Sequence, residues 1–408
     1  MNKNLFILVG SLFFVLPVFS QKPETASCEV RAVNSKLSVD GHQIMYALPK
    51  NTIHITIQLK QTHQIPGPYM DYAEKYLNIT DGVIHTENIS YEITDINFEK
   101  NSYPDSSCFY CISCTGYLNM PELQLNSDGV ILGCNLPYSV ADYKINDNLV
   151  INMQKEPDPF YFYDLGAIPF VEEKDETSFK TQQTDSTHVK VPVTISKLVP
   201  TSEENNAKEA ADFIRKLRKR RLKLLVGLKD ESFAVEGPAM QVMVNELEQL
   251  ENKYLELFIG KSQSRNMIYY FDVEPEADIE SEQQILGWFS PNSGLVYSKP
   301  DVRKSDFKPL LLRSEVVGRI PDLTIQTMDN STKNPIPIKY GLYYRIPGMI
   351  SVSLQLADLT LAQQKMQIAQ KGRVIPLPND YLSNNQYGIE FYPESGALKK
   401  IIQKEVGK

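Results

Sequence analysis

Tryptophan is nearly absent: Trp288 stands alone in 408 residues, against 22 tyrosines. A carbohydrate site built on stacked indoles is thereby disfavoured, while one built on tyrosine stays open. Histidine is also scarce, and His42, His54, His63, His85 and His188 include no pair at the helical spacing of a metalloprotease. The sequence contains no nucleophile elbow, no Walker loop and no dinucleotide fingerprint, so motif support for those hydrolase, nucleotidase and oxidoreductase classes is missing. Positive charge is in deficit, with 42 Lys and Arg against 50 Asp and Glu and a net charge of −8. Nucleic acid and acidic surfaces are therefore repelled by the molecule as a whole, and an anionic partner would need a local basic patch.

Long apolar runs are lacking as well. The longest, Leu5 to Phe19, falls short of the roughly 20 residues that cross a bilayer, and no spanning run follows it. Lys3 precedes that run, and Val18 and Ser20 occupy the cleavage-site positions before Gln21. This is the layout of a signal peptide over residues 1–20. It predicts an exported protein of the periplasm or outer-membrane periphery that is not an integral membrane protein. The first cysteine is Cys28, too far downstream for a lipid anchor at the processed terminus.

Only five cysteines are present, and three of them, Cys108, Cys111 and Cys114, fall three residues apart, with Cys134 further on. That spacing permits a tetrahedral thiolate zinc site. In an oxidising compartment the simpler reading is one or two disulfides stapling a loop, with a thiol left over.

What the chain does contain is strand pattern with a helical insertion. Ile53, Ile55, Ile57 and Leu59 alternate with polar residues after Pro49, as in a half-buried strand. Pro66-Gly67-Pro68 ends that strand and opens a helix carrying Tyr69, Tyr72 and Tyr76 on one face. Those tyrosines could line a partner-binding groove, although aromatics at this spacing more often pack a helix on a sheet. Asn126-Ser-Asp-Gly129 predicts a hairpin. The polar stretch 172–188 reads as a linker between an N-terminal β-rich α+β domain, 21–171, and a C-terminal α+β domain, 189–408.

Within the second domain a helical hairpin is expected over 202–260. Thr201-Ser-Glu-Glu204 supplies a cap, and the first helix runs to Gly227. The second runs from Pro238 to just before Gly260, with apolar residues at three- and four-residue steps. Arg215, Lys216, Arg218, Lys219, Arg220, Arg221 and Lys223 make the first helix basic, and Glu246, Glu248, Glu251 and Glu256 make the second acidic. The basic block is either an anion site, with Arg215, Arg218, Lys219, Arg220 and Arg221 as its contacts, or the complement of the acidic helix.

Two echoes are consistent with an internal duplication. Phe289-Ser-Pro-Asn-Ser-Gly294 recurs as Phe391-Tyr-Pro-Glu-Ser-Gly396, and Tyr46-Ala-Leu-Pro49 leading into Ile53 recurs as Tyr344-Arg-Ile-Pro347 leading into Ile350. The expected fold is thus α+β, mostly antiparallel β modules around a long helical hairpin.

The segments Tyr46-Ala-Leu-Pro-Lys50, Gly67-Pro-Tyr-Met-Asp-Tyr-Ala-Glu-Lys-Tyr-Leu77, Ala210-Ala-Asp-Phe-Ile-Arg-Lys-Leu-Arg-Lys-Arg-Arg221 and Tyr343-Tyr-Arg-Ile-Pro347 carry a resemblance over nearly the whole mature chain. With them the chain resembles an exported domain-of-unknown-function family of Bacteroides-type Gram-negative bacteria. The resemblance implies an envelope location and no reaction. The expected role is a non-enzymatic binding or scaffolding protein whose partner is an envelope protein or glycan. The rival expectation is a polysaccharide or peptide hydrolase using loop carboxylates such as Asp158, Asp164, Asp272 and Glu274.

Overall fold

A computed structural model describes residues 28–33, 43–114, 121–140, 162, 171–184, 187–226, 237–301, 306–318, 340–383 and 385–404. The signal-peptide segment and the aspartates Asp158 and Asp164 lie outside them.

Strands dominate, and two pairs of them are unusually long. In chain order, β1 (Cys28–Ala32), β2 (Gln43–Ile65) and β3 (Asn88–Cys114) join β8 (Lys261–Val273) in an antiparallel sheet of order β1-β3-β2-β8. β9 (Ser281–Ser290), β10 (Gly294–Val296), β11 (Lys308–Val316), β12 (Tyr340–Leu356) and β13 (Leu359–Pro378) form a second sheet, β10-β9-β11-β12-β13. A third sheet, β15-β14-β5-β4, is built from the hairpins β4 (Leu123–Leu125) with β5 (Ile131–Cys134) and β14 (Tyr387–Phe391) with β15 (Leu398–Gln403). Among the described residues β6 (Val171–Thr184) pairs only with β7 (Thr187–Pro200).

The alternation over Ile53, Ile55, Ile57 and Leu59 does what period two requires: all four are fully buried, and His54, Thr56 and Gln58 face away. Opposite them lie Leu310, Leu312, Ile350, Val352, Leu354 and Ile368 of the second sheet, so the two sheets close a purely apolar first core. Each such aliphatic side chain contributes about 1.5–3 kcal/mol by leaving water.

A second core forms at the other ends of the same long strands. Tyr46, Leu48, Tyr110 and Ile112 pack there against Leu342, Leu377, Ile131, Ile389 and Phe391, with Leu382 of α4 (Asp380–Ser383) filling in. The strands bend between the cores, and proline and glycine mark the place. Pro49 faces Pro104 where the β2/β3 register slips, and an irregularity in the ladder is where a residue without an N–H is tolerated. The β12/β13 register slips at Pro347, and there a Cβ on Gly372 would sit 1.8 Å from the Ile346 carbonyl oxygen, so only glycine fits. The two echoing segments therefore occupy matching positions, one in each sheet, with the same break between the two cores. The repeated turns match too: Gly294 and Gly396 both have positive φ at the tips of β9–β10 and β14–β15.

Three expectations change. The stretch 172–188 is largely β6 and the start of β7, one ladder rather than an open linker. The proposed domain boundary does not separate the sheets, because β8 pairs with β2 and β14 with β5 across it. The cysteine-rich segment is no loop but the end of a continuous β3.

The two long helices pack on each other in a third cluster, apart from the two cores. α2 (Glu203–Val226) begins where its capping signal places it, and α3 (Pro238–Ile259) begins and ends where its proline and glycine signals place it. Ser202 Oγ accepts the Asn205 amide at 3.3 Å, so the cap falls one residue later than Thr201. Ala207, Ala210, Ala211 and Ile214 are fully buried against Tyr254, Leu257 and Phe258, with the Phe213 and Tyr254 rings 4.5 Å apart. Small alanines let the helices approach closely.

Candidate functional site

The tyrosine stripe belongs to this packing. Tyr69 and Tyr72 flank and end a 3-10 turn, Met70–Tyr72, and Tyr76 lies in α1 (Ala73–Leu77). Tyr69 packs on Phe258 at 5.7 Å between rings, and its amide donates to the Leu257 carbonyl at 2.8 Å. Gly67 makes this possible, since a Cβ there would lie 2.4 Å from the Leu257 oxygen. Tyr72 stacks on Tyr76, whose hydroxyl donates to Glu204 at 3.0 Å. The stripe thus fastens a turn to two helices, where packing on a sheet was the commoner expectation.

The cysteines separate. Cys28 and Cys114 form a disulfide across 86 residues, tying β1 to the end of β3. Strand alternation turns Cys111 to the face opposite Cys108 and Cys114, and the buried Cys111 thiol donates to Gln43 at 3.4 Å. Cys134 is buried in the second core, which pushes its thiol up to about 12. The spacing that permits zinc in a loop thus becomes divergence in a strand, and among the described residues no three His, Cys, Asp or Glu side chains gather as a metal would need.

Between the two cores lies a buried polar seam that the sequence does not announce. Arg345 pairs with Asp105 at 2.8 Å and also donates to the Pro49 carbonyl, at 2.8 Å, and to Cys108 Sγ, at 3.0 Å. Burial works against ionising Asp105, but hydrogen bonds from Ser107 and Arg345 outweigh it and hold the carboxyl below its ordinary range. Asn51 is sunk beside them. Its amide N–H meets Gln370 Oε1 at 2.9 Å, its side chain donates to Ser102 and the Glu394 carbonyl, and it accepts the Ala369 amide at 2.6 Å. Every partner here is spent on another part of the fold.

A groove of about 380 Å3 opens beside the seam, lined by Asp278, Glu280, Gly318, Gly348, Lys371 and Arg373. Lys371 is nearly buried and already held by Glu282 at 2.9 Å and the Ile279 carbonyl at 2.6 Å. The two described carboxylate candidates are engaged as well. Asp272 meets His54 Nδ1 at 2.7 Å, and Glu274 takes both Lys50 and Tyr103, which holds it below its ordinary range.

On α2 the basic block divides in two. Glu251 of α3, only 5% exposed, accepts a hydrogen bond from Arg218 Nε at 2.7 Å and forms an ion pair with Arg221 at 2.8 Å, while Arg215 pairs with Asp212 of its own helix. That portion is the complement of the acidic helix. Lys216, Lys219, Arg220 and Lys223 are exposed, and among the described residues none of them makes an ion pair. At 100° per residue these four fall in one stripe about 100° wide, opposite the face that buries Ile214 and Leu217.

The fold and these surfaces define a β-rich α+β protein with antiparallel sheets, two joined cores and a basic helix turned outward. The family model described as a domain of unknown function, DUF4831, matches residues 42–163 and 167–399, so the chain belongs to that family. No curated protein and no solved structure matches it. No helix among the described residues is long and apolar enough to cross a membrane, which says nothing of crossing by strands.

Proposed function

We propose that the protein is exported to the cell envelope and acts there by binding, with the outward stripe of α2 as its contact. One observation carries this reading: four cations on one exposed helix face are left over after the acidic helix has taken its share. In a chain of net charge −8, such a stripe is the local basic patch that an anionic partner requires. The Cys28–Cys114 disulfide supports the export half of the proposal, because such bonds persist in oxidising compartments. The rest of the molecule is then a scaffold that holds the helix pair out from its sheets.

Charge reversal tests this. A variant carrying Lys216→Glu, Lys219→Glu, Arg220→Glu and Lys223→Glu should fold normally, since all four side chains are exposed. It should lose the main species cross-linked to the wild-type protein in intact envelopes. An unchanged cross-linking pattern would remove the stripe from the function.

A further inference from the structure

The stripe does not stand alone. The residues that bury the helix pair on one another, Ala207 to Ile214 on α2 and Tyr254 to Phe258 on α3, belong to one half of it. In the other half Leu222, Leu225 and Val226 are each more than 60% exposed, and Val242 of α3 is 58% exposed. Phe213 meets Tyr254 and Arg221 meets Glu251, so the helices run antiparallel, and the end of α2 lies with the beginning of α3. The four exposed apolar side chains thus share one end of the pair. Leu222 and Val226 fall beside Lys219 on the helix surface, next to the basic stripe rather than across from it.

We infer that this end of the helix pair docks on the surface of a bilayer carrying anionic phospholipid, the stripe meeting headgroup phosphates while Leu222, Val226 and Val242 enter the headgroup boundary. The inference rests on the binding role proposed above and names its partner. Charge complementarity alone would suit an acidic protein equally well. The neighbouring apolar side chains decide for lipid, because basic residues beside exposed leucine and valine at a helix end are the pattern of an interfacial helix. The geometry is adequate. The part of α2 beyond Leu217 is nine residues, Arg218 to Val226, or about 14 Å of helix. That exceeds the about 5–10 Å to which interfacial side chains sink. Lipid packing is also compatible with the deficit of positive charge elsewhere, because screening confines attraction to about a Debye length from the stripe.

Flotation of the purified mature protein with vesicles tests the inference. The expected result is binding to vesicles of phosphatidylcholine with 30% phosphatidylglycerol, a composition of about one anionic lipid in three, and none to phosphatidylcholine alone. Lys219→Glu with Arg220→Glu should weaken it by about thirtyfold or more, at about 1 kcal/mol for each cation removed. Leu222→Ser with Val226→Ser should weaken binding at equal charge. Val226→Trp should shift its emission to the blue with anionic vesicles and not without them. Circular dichroism checks that each variant is folded. No flotation by the folded wild type overturns the lipid inference, and so does flotation that neither double variant changes. If envelope cross-linking still depends on the stripe in that case, the binding role stands and an acidic protein is the partner.

Discussion

The two cores hang on the same four long strands and are held together differently. On one side of the proline break β2 and β12 present Ile53, Ile55, Ile57, Ile350, Val352 and Leu354, with no polar atom to satisfy. On the other side the same strands present Tyr46, Tyr343 and Arg345, and each brings a polar group that must be matched. The Tyr343 amide donates to the Tyr46 hydroxyl at 2.8 Å, and Tyr110 stacks on both rings, at 5.4 Å from Tyr46 and 4.5 Å from Tyr343. An aliphatic core tolerates imprecision; a mixed one needs cross-links and paired charges to be worth forming. The difference teaches that strand continuity does not imply uniform chemistry. A break of one residue in β2 and in β12, each opposite four unpaired residues of the neighbouring strand, is enough to switch a strand from one manner of cohesion to the other.

The largest test of this contrast is the disulfide. Replacing Cys28 and Cys114 with serine should cost about 4–5 kcal/mol, as the loop-entropy relation gives for a closure of 86 residues. Amide exchange should accelerate in β1 and the second half of β3, while β8 to β11 keep their protection. Equal loss in both places would show that the two ends are a single cooperative unit.

The next effect concerns the seam. Arg345→Met leaves Asp105 buried without its cation and should cost about 3 kcal/mol in denaturant unfolding. Removing both partners, with Asp105→Asn added, should recover part of that loss. A neutral single variant would mean that the seam is held by packing rather than by charge.

The smallest effect is a pH dependence on the outer face of β14. Burial pushes the Glu390 carboxyl up, but hydrogen bonds from Lys399 at 2.7 Å, Tyr138 at 2.5 Å and Lys400 outweigh it, holding the group down to about 2. A carboxyl depressed in the folded state stabilises above its ordinary range near 4.5 and loses that contribution as pH falls toward 2. Acid unfolding between those values should therefore flatten in Glu390→Gln, with the third sheet responding first.

Local elements were readable because their signals are local. Pro238 and Gly260 bound α3, Asn126 to Gly129 make the turn before β5, and the alternation from Ile53 to Leu59 assigns its own buried face. β13 is not legible in the sequence: its middle, Gln363 to Lys371, is mostly glutamine and lysine with only Met366 and Ile368 as large apolar residues, and it pairs with β12 because β12 needs a partner. β1 was missed for a related reason. Five residues upstream of the first strong strand are held by the ladder to β3 and by the disulfide. The seam is the extreme case, since Arg345 and Asp105 stand 240 residues apart and Asn51 and Gln370 stand 319 apart. No window along the chain contains either pair.

The sequence alone determined where α2 begins and where α3 begins and ends, which strand faces are apolar, and that α2 carries more positive charge than α3 can plainly use. Those properties follow from periodicity, capping and turn chemistry, all set within a few residues. Tertiary structure decided that the tyrosines are packing and that Cys108, Cys111 and Cys114 diverge. It also decided which cations of the basic block are spent on Glu251 and which remain outward. That choice depends on which side chains the folded helices bring within a few ångströms of one carboxylate, and only the packed molecule specifies it.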